Sequence, residues 1–185
     1  METLRKKIAQ MLIMGFSGLD LKTMPRVQEW LQEGLGGVIL FDQDLKHAGQ
    51  NKNLASMDQI RRLTTSLQAT ANQMNPHHPL LIALDYEGGD VDRLKTIPGA
   101  PITLPPKQQA QLSLQEQNAC FHQMATTLAQ LGFNLNFAPV VDLALDGLGG
   151  IIGQRQRSFS DDPHVVMNVA QNFTSFSFPW YNYVL

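Results

Sequence analysis

Short apolar runs that lead into an aspartate alternate with longer helical segments along this chain. The runs are residues 36–41, followed by Asp42; 80–84, followed by Asp85; and 135–143, which contains Asp142. An apolar run of this length is typical of a strand buried on both faces, as in a parallel sheet. The third run also contains Pro139, which predicts a bent or broken strand there.

Apolar residues recur at intervals of three and four between these runs, which predicts helices. The predicted helices span about residues 2–14, 25–33, 57–74, 113–131 and 163–172. This alternation favours a parallel α/β architecture. Loops at the carboxyl ends of parallel strands gather several chain segments around one cavity, so three aspartates at strand ends hint at a functional site. Periodicity alone leaves both a barrel and an open doubly wound sheet possible.

The length of the chain sets how much of such a fold it can form. It has 185 residues, 43% of them hydrophobic, which is enough for one domain with a real core. A complete eightfold barrel needs about 250 residues, and only three strands are evident. We therefore expect half a barrel or a smaller open sheet.

Composition excludes several classes of function. The net charge is −2 and no Lys/Arg-rich run occurs, so we expect no nucleic-acid partner. The single cysteine, Cys120, excludes an internal disulfide and predicts a buried structural thiol. The N-terminal apolar run is too short for a secretory signal, and no run approaches the ~20 apolar residues of a membrane span. The expected location is the cytoplasm, with no membrane partner.

The last twelve residues differ in character from the rest. Residues 174–185 contain five aromatic side chains and no charge. Pro179 and the abrupt change from the preceding helical pattern argue against a buried strand. Our hypothesis is that residues 1–173 form the domain and that 174–185 are an aberrant tail from a frameshift or premature stop. The adjoining nucleotide sequence, translated in the other two frames, would test it.

The densest group of candidate site residues lies at 85–93. Two adjacent glycines, Gly88 and Gly89, would let the backbone turn sharply and approach a ligand closely. Asp85 at the strand end and Arg93 eight residues later could meet at one edge, where a carboxylate and a guanidinium suit vicinal hydroxyls. The alternative is a tight turn with solvated acids. The spacing does not match a calcium-binding EF-hand loop, so we expect no metal.

Two further segments, each considered alone, could have either a structural or a functional role. Residues 134–142 form a kinked strand with a terminal acid, most often a structural feature. Residues 151–163 place two arginines in a loop before a helix, which could bind an anion or a sugar; alternatively Asp161 or Asp162 caps that helix and pairs with an arginine. No nucleotide-binding glycine motif occurs, and the histidines show no metal spacing, so we expect no cofactor.

Taken in order, these segments resemble the N-terminal domain of glycoside hydrolase family 3, in its bacterial β-N-acetylglucosaminidase branch. That family's pattern runs I-A-x-D-x-E-G-G-x-V-x-R, then N-x-N-F-A-P-V-x-D, then I-G-x-R-S-F-x-x-D-P. Here the three motifs stand at residues 82–93, 134–142 and 152–163. The resemblance covers about residues 3–173. It implies the N-terminal half of a (β/α)8 TIM-type barrel, C-terminally truncated.

The resemblance also implies a function: a retaining, exo-acting β-glycoside hydrolase that removes terminal β-linked N-acetylglucosamine or related sugars. Asp85 would bind sugar hydroxyls, and Arg93 and Arg157 would complete the pocket. The family's Lys-His substrate pair, its acid/base histidine and its Asp nucleophile come later in the chain, and no acid follows Pro163 here. We therefore expect no catalytic residue in this chain and no activity from it alone.

The sequence departs from the family pattern at a few positions. Asp90 replaces a usual arginine, and Tyr86 replaces a usual glutamine. Two extra residues lengthen the arginine loop, which leaves open whether Arg155 or Arg157 faces the pocket.

Two other functions stay open on the sequence. One is a catalytically dead carbohydrate-binding or regulatory remnant, and the other an unrelated α/β interaction module. If the chain is half of a barrel, strand edges would be left unpaired and apolar faces uncovered, so we expect poor stability or self-association. The preferred sugar, N-acetylglucosamine or glucose, is not decided by the sequence.

Overall fold

The structure is a computed structural model that describes residues 3–45, 47, 49–74, 76–145 and 150–177. These ranges contain seven α-helices and six strands. The helices are α1 (Leu4–Gln10), α2 (Pro25–Gln32), α3 (Met57–Met74), α4 (Pro106–Gln109), α5 (Leu114–Gln130), α6 (Ile151–Gln154) and α7 (Pro163–Ser177). The strands are β1 (Ile13–Gly15), β2 (Gly37–Ile39), β3 (Leu81–Leu84), β4 (Tyr86–Gly88), β5 (Val91–Asp92) and β6 (Leu135–Asn136). A short 3-10 helix, Leu21–Thr23, precedes α2.

The chain forms two compact units, and the first holds the parallel sheet. Unit 1 comprises residues 1–84, 96–99 and 129–136. Its four strands pair in the order β1-β2-β3-β6, and every pair is parallel. Neighbouring strands in the sheet thus follow one another in the chain without a reversal. This is the strand order of a (β/α)8 barrel, whereas a doubly wound sheet reverses at its switch point.

The central strands of this sheet are buried, as their apolar runs predict. Val38 in β2 and Ile82 in β3 are fully buried and face each other in the register. Asn134 supports the far side of β3, where its amide oxygen accepts from the Ile82 N–H at 2.6 Å and its amide nitrogen donates to the Leu80 carbonyl at 2.8 Å. The first residue of the 134–142 motif is therefore structural.

Helix α3 has the bounds that the sequence predicts. Ser56 caps its first turn by accepting a hydrogen bond from the backbone N–H of Gln59. Its apolar positions, at intervals of three and four, are buried: Ile60, Leu63, Leu67 and Ala71. Gly132 follows α5 with φ +81°, and a Cβ there would overlap Thr64 of α3. Gly132 thus follows the end of α5 with a backbone angle that favours glycine.

The N-terminal prediction was wrong at one end. A single helix was expected over residues 2–14, but α1 ends at Gln10 and β1 follows at Ile13. Hydrogen bonds from the sheet decide this, since the N–H of Gly37 donates to the carbonyl of Leu12 and Met14 pairs with Val38. A helical spacing of apolar residues continued across the boundary and hid the strand. Residue 2 lies outside the described residues.

The apolar face predicted for this first helix is exposed within unit 1. Leu4, Ile8 and Met11 are 74%, 51% and 82% exposed, and no residue of α1 is buried. Leu12 is also exposed. The segment has the predicted amphipathic pattern, but its apolar face is not covered by the described residues.

Unit 2 comprises residues 85–95, 100–128 and 137–185, and it contains the candidate site. Strands β4 and β5 form an antiparallel hairpin. Helix α5 begins with a reciprocal cap, because Ser113 and Glu116 each accept a hydrogen bond from the other's backbone N–H. Helices α5 and α7 pack through Phe121 and Phe173, whose ring centroids are 5.0 Å apart at 64°.

The C-terminal helix is longer than expected. Helix α7 was predicted to end near residue 172, but it continues to Ser177. The first four residues of the segment interpreted as an aberrant tail, 174–177, therefore belong to this helix. The remainder, 178–185, lies outside the described residues, so its origin stays a hypothesis.

The apolar run at 135–143 is broken, as Pro139 predicts. Only Leu135–Asn136 pair with the sheet, and the backbone beyond them is irregular. None of the helices in the described ranges is both long and apolar enough to cross a membrane.

Candidate functional site

The β4–β5 hairpin begins one residue after the end of β3 and brings two predicted site residues together. Tyr86 pairs with Asp92 and Gly88 with Val91, so the residues just outside the hairpin, Asp85 and Arg93, stand side by side. An Nη2 group of Arg93 donates to Oδ2 of Asp85 at 3.1 Å. Their side chains are 30% and 23% exposed, which leaves polar atoms of both within reach of a ligand.

The two glycines of the hairpin turn have positive φ values of +102° and +60°, as a sharp turn requires. Both glycines lie close to another segment of the protein. A Cβ on Gly88 would overlap the carbonyl oxygen of Leu104, and one on Gly89 would lie 2.6 Å from Cβ of Pro105. Glycine is needed here because the turn packs against the segment at 103–105.

Alternation along β4 sorts its side chains onto two faces. Asp85 and Glu87 lie on one face, while Tyr86 lies on the other and is fully buried. Burial raises the pKa of Tyr86 far above its ordinary range, and the negative charge of Asp92 raises it further. Tyr86 is therefore a core residue, and a buried aromatic side chain stands where the family usually has glutamine.

Glu87 forms the strongest ion pair of the site, and it does so with Arg157. Nε of Arg157 donates to one carboxylate oxygen at 2.9 Å and Nη2 to the other at 2.6 Å. The Glu87 side chain is only 3% exposed, and that of Arg157 22%. This hydrogen bonding raises the pKa of Arg157, and the charges of Glu87, Asp85 and Asp142 raise it further, so the guanidinium stays charged.

The loop before α7 directs Arg157 toward the hairpin. Arg155 ends α6 and is exposed, and Gln156 then adopts a left-handed backbone with φ +53°. Ser158, which is buried, donates its hydroxyl to the carbonyl of Asp142 at 2.6 Å. The geometry places Arg157, and not Arg155, beside Asp85 and Glu87.

The same loop decides between the alternatives for the helix cap. Asp162 caps α7 by accepting a hydrogen bond from the backbone N–H of His164 at 2.8 Å. Arg157 pairs with Glu87 instead of with Asp161 or Asp162. The predicted capping role of Asp162 is confirmed, and Arg157 belongs to the candidate site.

A buried acid supports the hairpin from behind. Asp92 accepts hydrogen bonds from the backbone N–H of Leu94 and from the hydroxyl of Thr103. Burial raises the pKa of Asp92 above its ordinary value, although these hydrogen bonds oppose the shift. Thr103 belongs to the segment against which the glycine turn packs, so Asp92 ties the hairpin to that segment.

The predicted site residues thus meet within unit 2. Asp85, Arg93 and Arg157 are brought together, and the negative charge of Asp142 helps to raise the pKa of Arg157. Asp42, the first of the three strand-end acids, belongs to unit 1. Among the described residues, no group of three His, Cys, Asp or Glu side chains is arranged to hold a metal ion.

Glu87 is the site residue that the sequence interpretation missed. It lies within residues 85–93, where the sequence predicts a binding role only for Asp85 and Arg93. The signal was its spacing from Asp85, because residues two apart in a strand share a face. A second carboxylate on the face of a candidate binding residue was therefore predictable.

The sequence matches the family description "Glycosyl hydrolase family 3 N terminal domain" over residues 3–175. A β-hexosaminidase from Xylella fastidiosa (strain M12) is 37% identical over 175 residues, which cover 88% of this chain and 44% of the relative. One from Stenotrophomonas maltophilia (strain R551-3) is 36% identical over 168 residues, covering 84% of this chain and 42% of the relative. The chain therefore spans less than half the length of these relatives.

Two solved structures resemble the fold. A family 3 β-N-acetylglucosaminidase from Paenibacillus sp. superposes with a TM-score of 0.80 at 27% identity, over 96% of this chain and 31% of that one. NagZ from Neisseria gonorrhoeae, in complex with N-trifluoroacetyl-D-glucosamine, superposes with a TM-score of 0.70 at 28% identity, over 90% of this chain and 45% of that one.

These likenesses agree with the strand order of unit 1. The fold class is α/β, a partial (β/α)8 TIM-type barrel. The alternative of an unrelated α/β interaction module is wrong, since the family match covers nearly the whole chain. This chain belongs to glycosyl hydrolase family 3, whose N-terminal domain it matches from residue 3 to residue 175.

Proposed function

We propose that this chain forms the sugar-holding part of a retaining, exo-acting β-glycoside hydrolase of the β-N-acetylhexosaminidase type. The observation that carries the proposal is the group of two arginines and two carboxylates in unit 2, Asp85 with Arg93 and Glu87 with Arg157. Its substrate would be a small carbohydrate with a terminal β-linked N-acetylglucosamine.

The chemistry of these side chains suits a sugar. Asp85 is an acceptor for sugar hydroxyls, and it is held in position by Arg93. Arg93 and Arg157 supply donors for ring substituents. Vicinal hydroxyls present donors and acceptors a few ångströms apart, so a carboxylate flanked by guanidinium groups can satisfy both. Support for an N-acetylated sugar comes from the relatives, which are described as β-hexosaminidases and β-N-acetylglucosaminidases.

Hydrolysis by this chain alone is not expected. A retaining glycosidase of the usual kind needs a carboxylate nucleophile and a proton donor about 5–5.5 Å apart. No acid follows Pro163 in this sequence, and the family's nucleophile lies further along the chain. The chain by itself should therefore bind a sugar without cleaving it, as a binding or regulatory remnant would.

The test is a pair of measurements on the same preparation. Binding of N-acetylglucosamine is followed by titration, and turnover by release of a chromophore from a β-N-acetylglucosaminide. We expect the chain to bind N-acetylglucosamine without turnover. Asp85→Ala should abolish this binding. Asp90→Ala, which alters the exposed acid of the same turn, should retain it. A version extended at its C-terminus with the remaining barrel sequence of a relative should gain turnover.

Two results would contradict the proposal. Absence of N-acetylglucosamine binding by both the short and the extended chain would exclude the sugar site. Turnover by the short chain would show that the nucleophile lies within it, and would overturn the assignment of catalysis to residues further along the family's sequence.

We further propose that the chain self-associates. Strand β1 is an outer strand of the described sheet in unit 1, and an outer strand can pair with a strand of another chain. The exposed apolar side chains of α1 add to this tendency. Size-exclusion chromatography with light scattering would test it, and a monomer at all concentrations would contradict it. The cytoplasmic location stays a prediction, for which cell fractionation is the test.

A further inference from the structure

Asp85, Arg93 and Arg157 would contact the proposed sugar, whereas Glu87 would not. This carboxylate is almost fully buried, with 3% of its side chain exposed. A charged group in such a position is costly unless it is paired and hydrogen-bonded. Its partner is Arg157, through both carboxylate oxygens.

The geometry of this pair determines what Arg157 can offer a ligand. A guanidinium has five N–H donors in one plane, and two parallel hydrogen bonds to a carboxylate hold that plane in place. Glu87 occupies Nε–H and one N–H of Nη2. The other three donors lie on the side of the guanidinium away from Glu87. Arg157 is the more exposed partner, so it can present these donors to a hydroxyl or a carbonyl oxygen.

Glu87 is itself held by a buried amide. Gln109, which is fully buried, donates from Nε2 to the carbonyl of Glu87 at 2.8 Å and to the carbonyl of Leu104 at 2.6 Å. Its Oε1 has no hydrogen-bond partner within the described ranges, so these two donated bonds set the orientation of the amide. Gln109 therefore ties the backbone of Glu87 to the segment that supports the glycine turn.

We propose that Glu87 is a positioning residue that orients Arg157 toward the sugar, and that Gln109 holds Glu87 in place. This inference rests on the proposed sugar site and deepens it. Neither residue touches the sugar. Arg157 would donate to an uncharged acceptor of the ligand, a ring hydroxyl or the acetamide oxygen, from a direction that Glu87 determines.

The first test observes Arg157 without any ligand. In ¹⁵N-labelled protein, the Nε–H resonance of Arg157 is assigned by its loss in Arg157→Lys. Its exchange with water is expected to be at least about tenfold slower than that of the exposed Arg155, since a carboxylate holds it. Glu87→Gln should remove this protection, and Asp90→Asn should leave it unchanged. Equal exchange at Arg155 and Arg157 in the wild-type chain would overturn the proposal even if Glu87→Gln failed to fold.

The second test measures the sugar. Glu87→Gln should bind N-acetylglucosamine about tenfold or more weakly than the wild-type chain, because a misdirected donor loses a charge-assisted hydrogen bond. The backbone amide spectrum shows whether the fold is retained. Lost protection of Arg157 with unchanged affinity would refute positioning for the sugar.

The two tests separate this inference from the proposed function. If the wild-type chain does not bind N-acetylglucosamine, the proposed sugar site is contradicted. Exchange of the Arg157 Nε–H with water still decides whether Glu87 holds the guanidinium of Arg157 in place. Gln109→Met removes both amide donors and should reduce the protection of Arg157 by less than Glu87→Gln does. Unchanged protection in that variant would overturn the role of Gln109.

Discussion

The guanidinium of Arg157 donates to both oxygens of the Glu87 carboxylate, at 2.9 and 2.6 Å. Seventy positions separate the two residues along the chain. Their contact joins the loop before α7 to the hairpin after β3, both within unit 2, and it brings Arg157 beside Asp85 and Arg93.

Removing the arginine of this pair is expected to destabilise the chain. Arg157→Ala leaves the Glu87 carboxylate buried without its partner, which should lower the free energy of unfolding by about 2–4 kcal/mol. Urea denaturation followed by circular dichroism measures the change. Arg155→Ala is the matched control, because that side chain is exposed; its effect should stay within about 0.5 kcal/mol. Equal effects of the two substitutions would contradict the importance of the pair.

Two glycines with similar backbone angles should differ in their tolerance of alanine. Gly88 has φ +102° and its Cβ would overlap the Leu104 carbonyl, whereas Gly99 has φ +84° and nothing within 4 Å. Gly99→Ala should cost about 1 kcal/mol from backbone strain alone, and Gly88→Ala about 3 kcal/mol or more from strain and overlap together. Thermal unfolding of the two variants makes the comparison. If both cost the same, the close packing of the turn against 103–105 is not significant for stability.

Asp92 should make stability depend on pH. Burial raises the pKa of Asp92 in the folded chain above its ordinary value of 3.8, so the folded state binds this proton more tightly than the unfolded state. Its contribution to stability is therefore greatest below pH 3.8 and is lost as the pH rises through the folded pKa, above which the buried charge has a constant cost.

Substitution of Asp92 tests this dependence. Asp92→Asn can still accept from the Leu94 N–H, and its amide nitrogen can donate to the Thr103 hydroxyl oxygen, which reverses that bond. Since the substitution also removes the charge, it should flatten the fall in stability above pH 3.8 and raise stability at neutral pH. Denaturation at a series of pH values measures it. Asp90→Asn, at an exposed position, should leave the profile unchanged. A profile that Asp92→Asn does not alter would show that the carboxyl titrates normally.

The Asn134 side chain should support strand β3. Asn134→Ala removes one hydrogen bond to the Ile82 N–H and one to the Leu80 carbonyl, and we expect a loss of about 1–3 kcal/mol in unfolding free energy. Hydrogen exchange of the Ile82 amide should quicken specifically. Asn134→Asp keeps the acceptor and loses the donor, so Ile82 should remain protected in that variant. If the Ile82 amide exchanged faster only in Asn134→Asp, the amide oxygen and nitrogen of Asn134 would have to be assigned the other way round.

Much of the architecture was predictable because it depends on local patterns. The buried face of α3, the Ser56 cap and the broken third strand follow from the spacing of apolar residues, a capping hydroxyl and Pro139. The length of β1 hid it, since three residues are too few for periodicity to separate a strand from the end of a helix. Pairing with β2, which is a contact between distant segments, formed that strand.

The sequence by itself determined the parallel α/β pattern, the glycine turn and the identity of Asp85, Arg93 and Arg157 as candidate site residues. Only the tertiary structure decided the strand order, the choice of Arg157 over Arg155 and the partnership of Glu87 with Arg157. The reason is physical: helical and strand periodicity is a property of neighbouring residues. Which carboxylate meets which guanidinium depends on how the backbone folds back on itself, and in this chain on the left-handed turn at Gln156 that precedes Arg157.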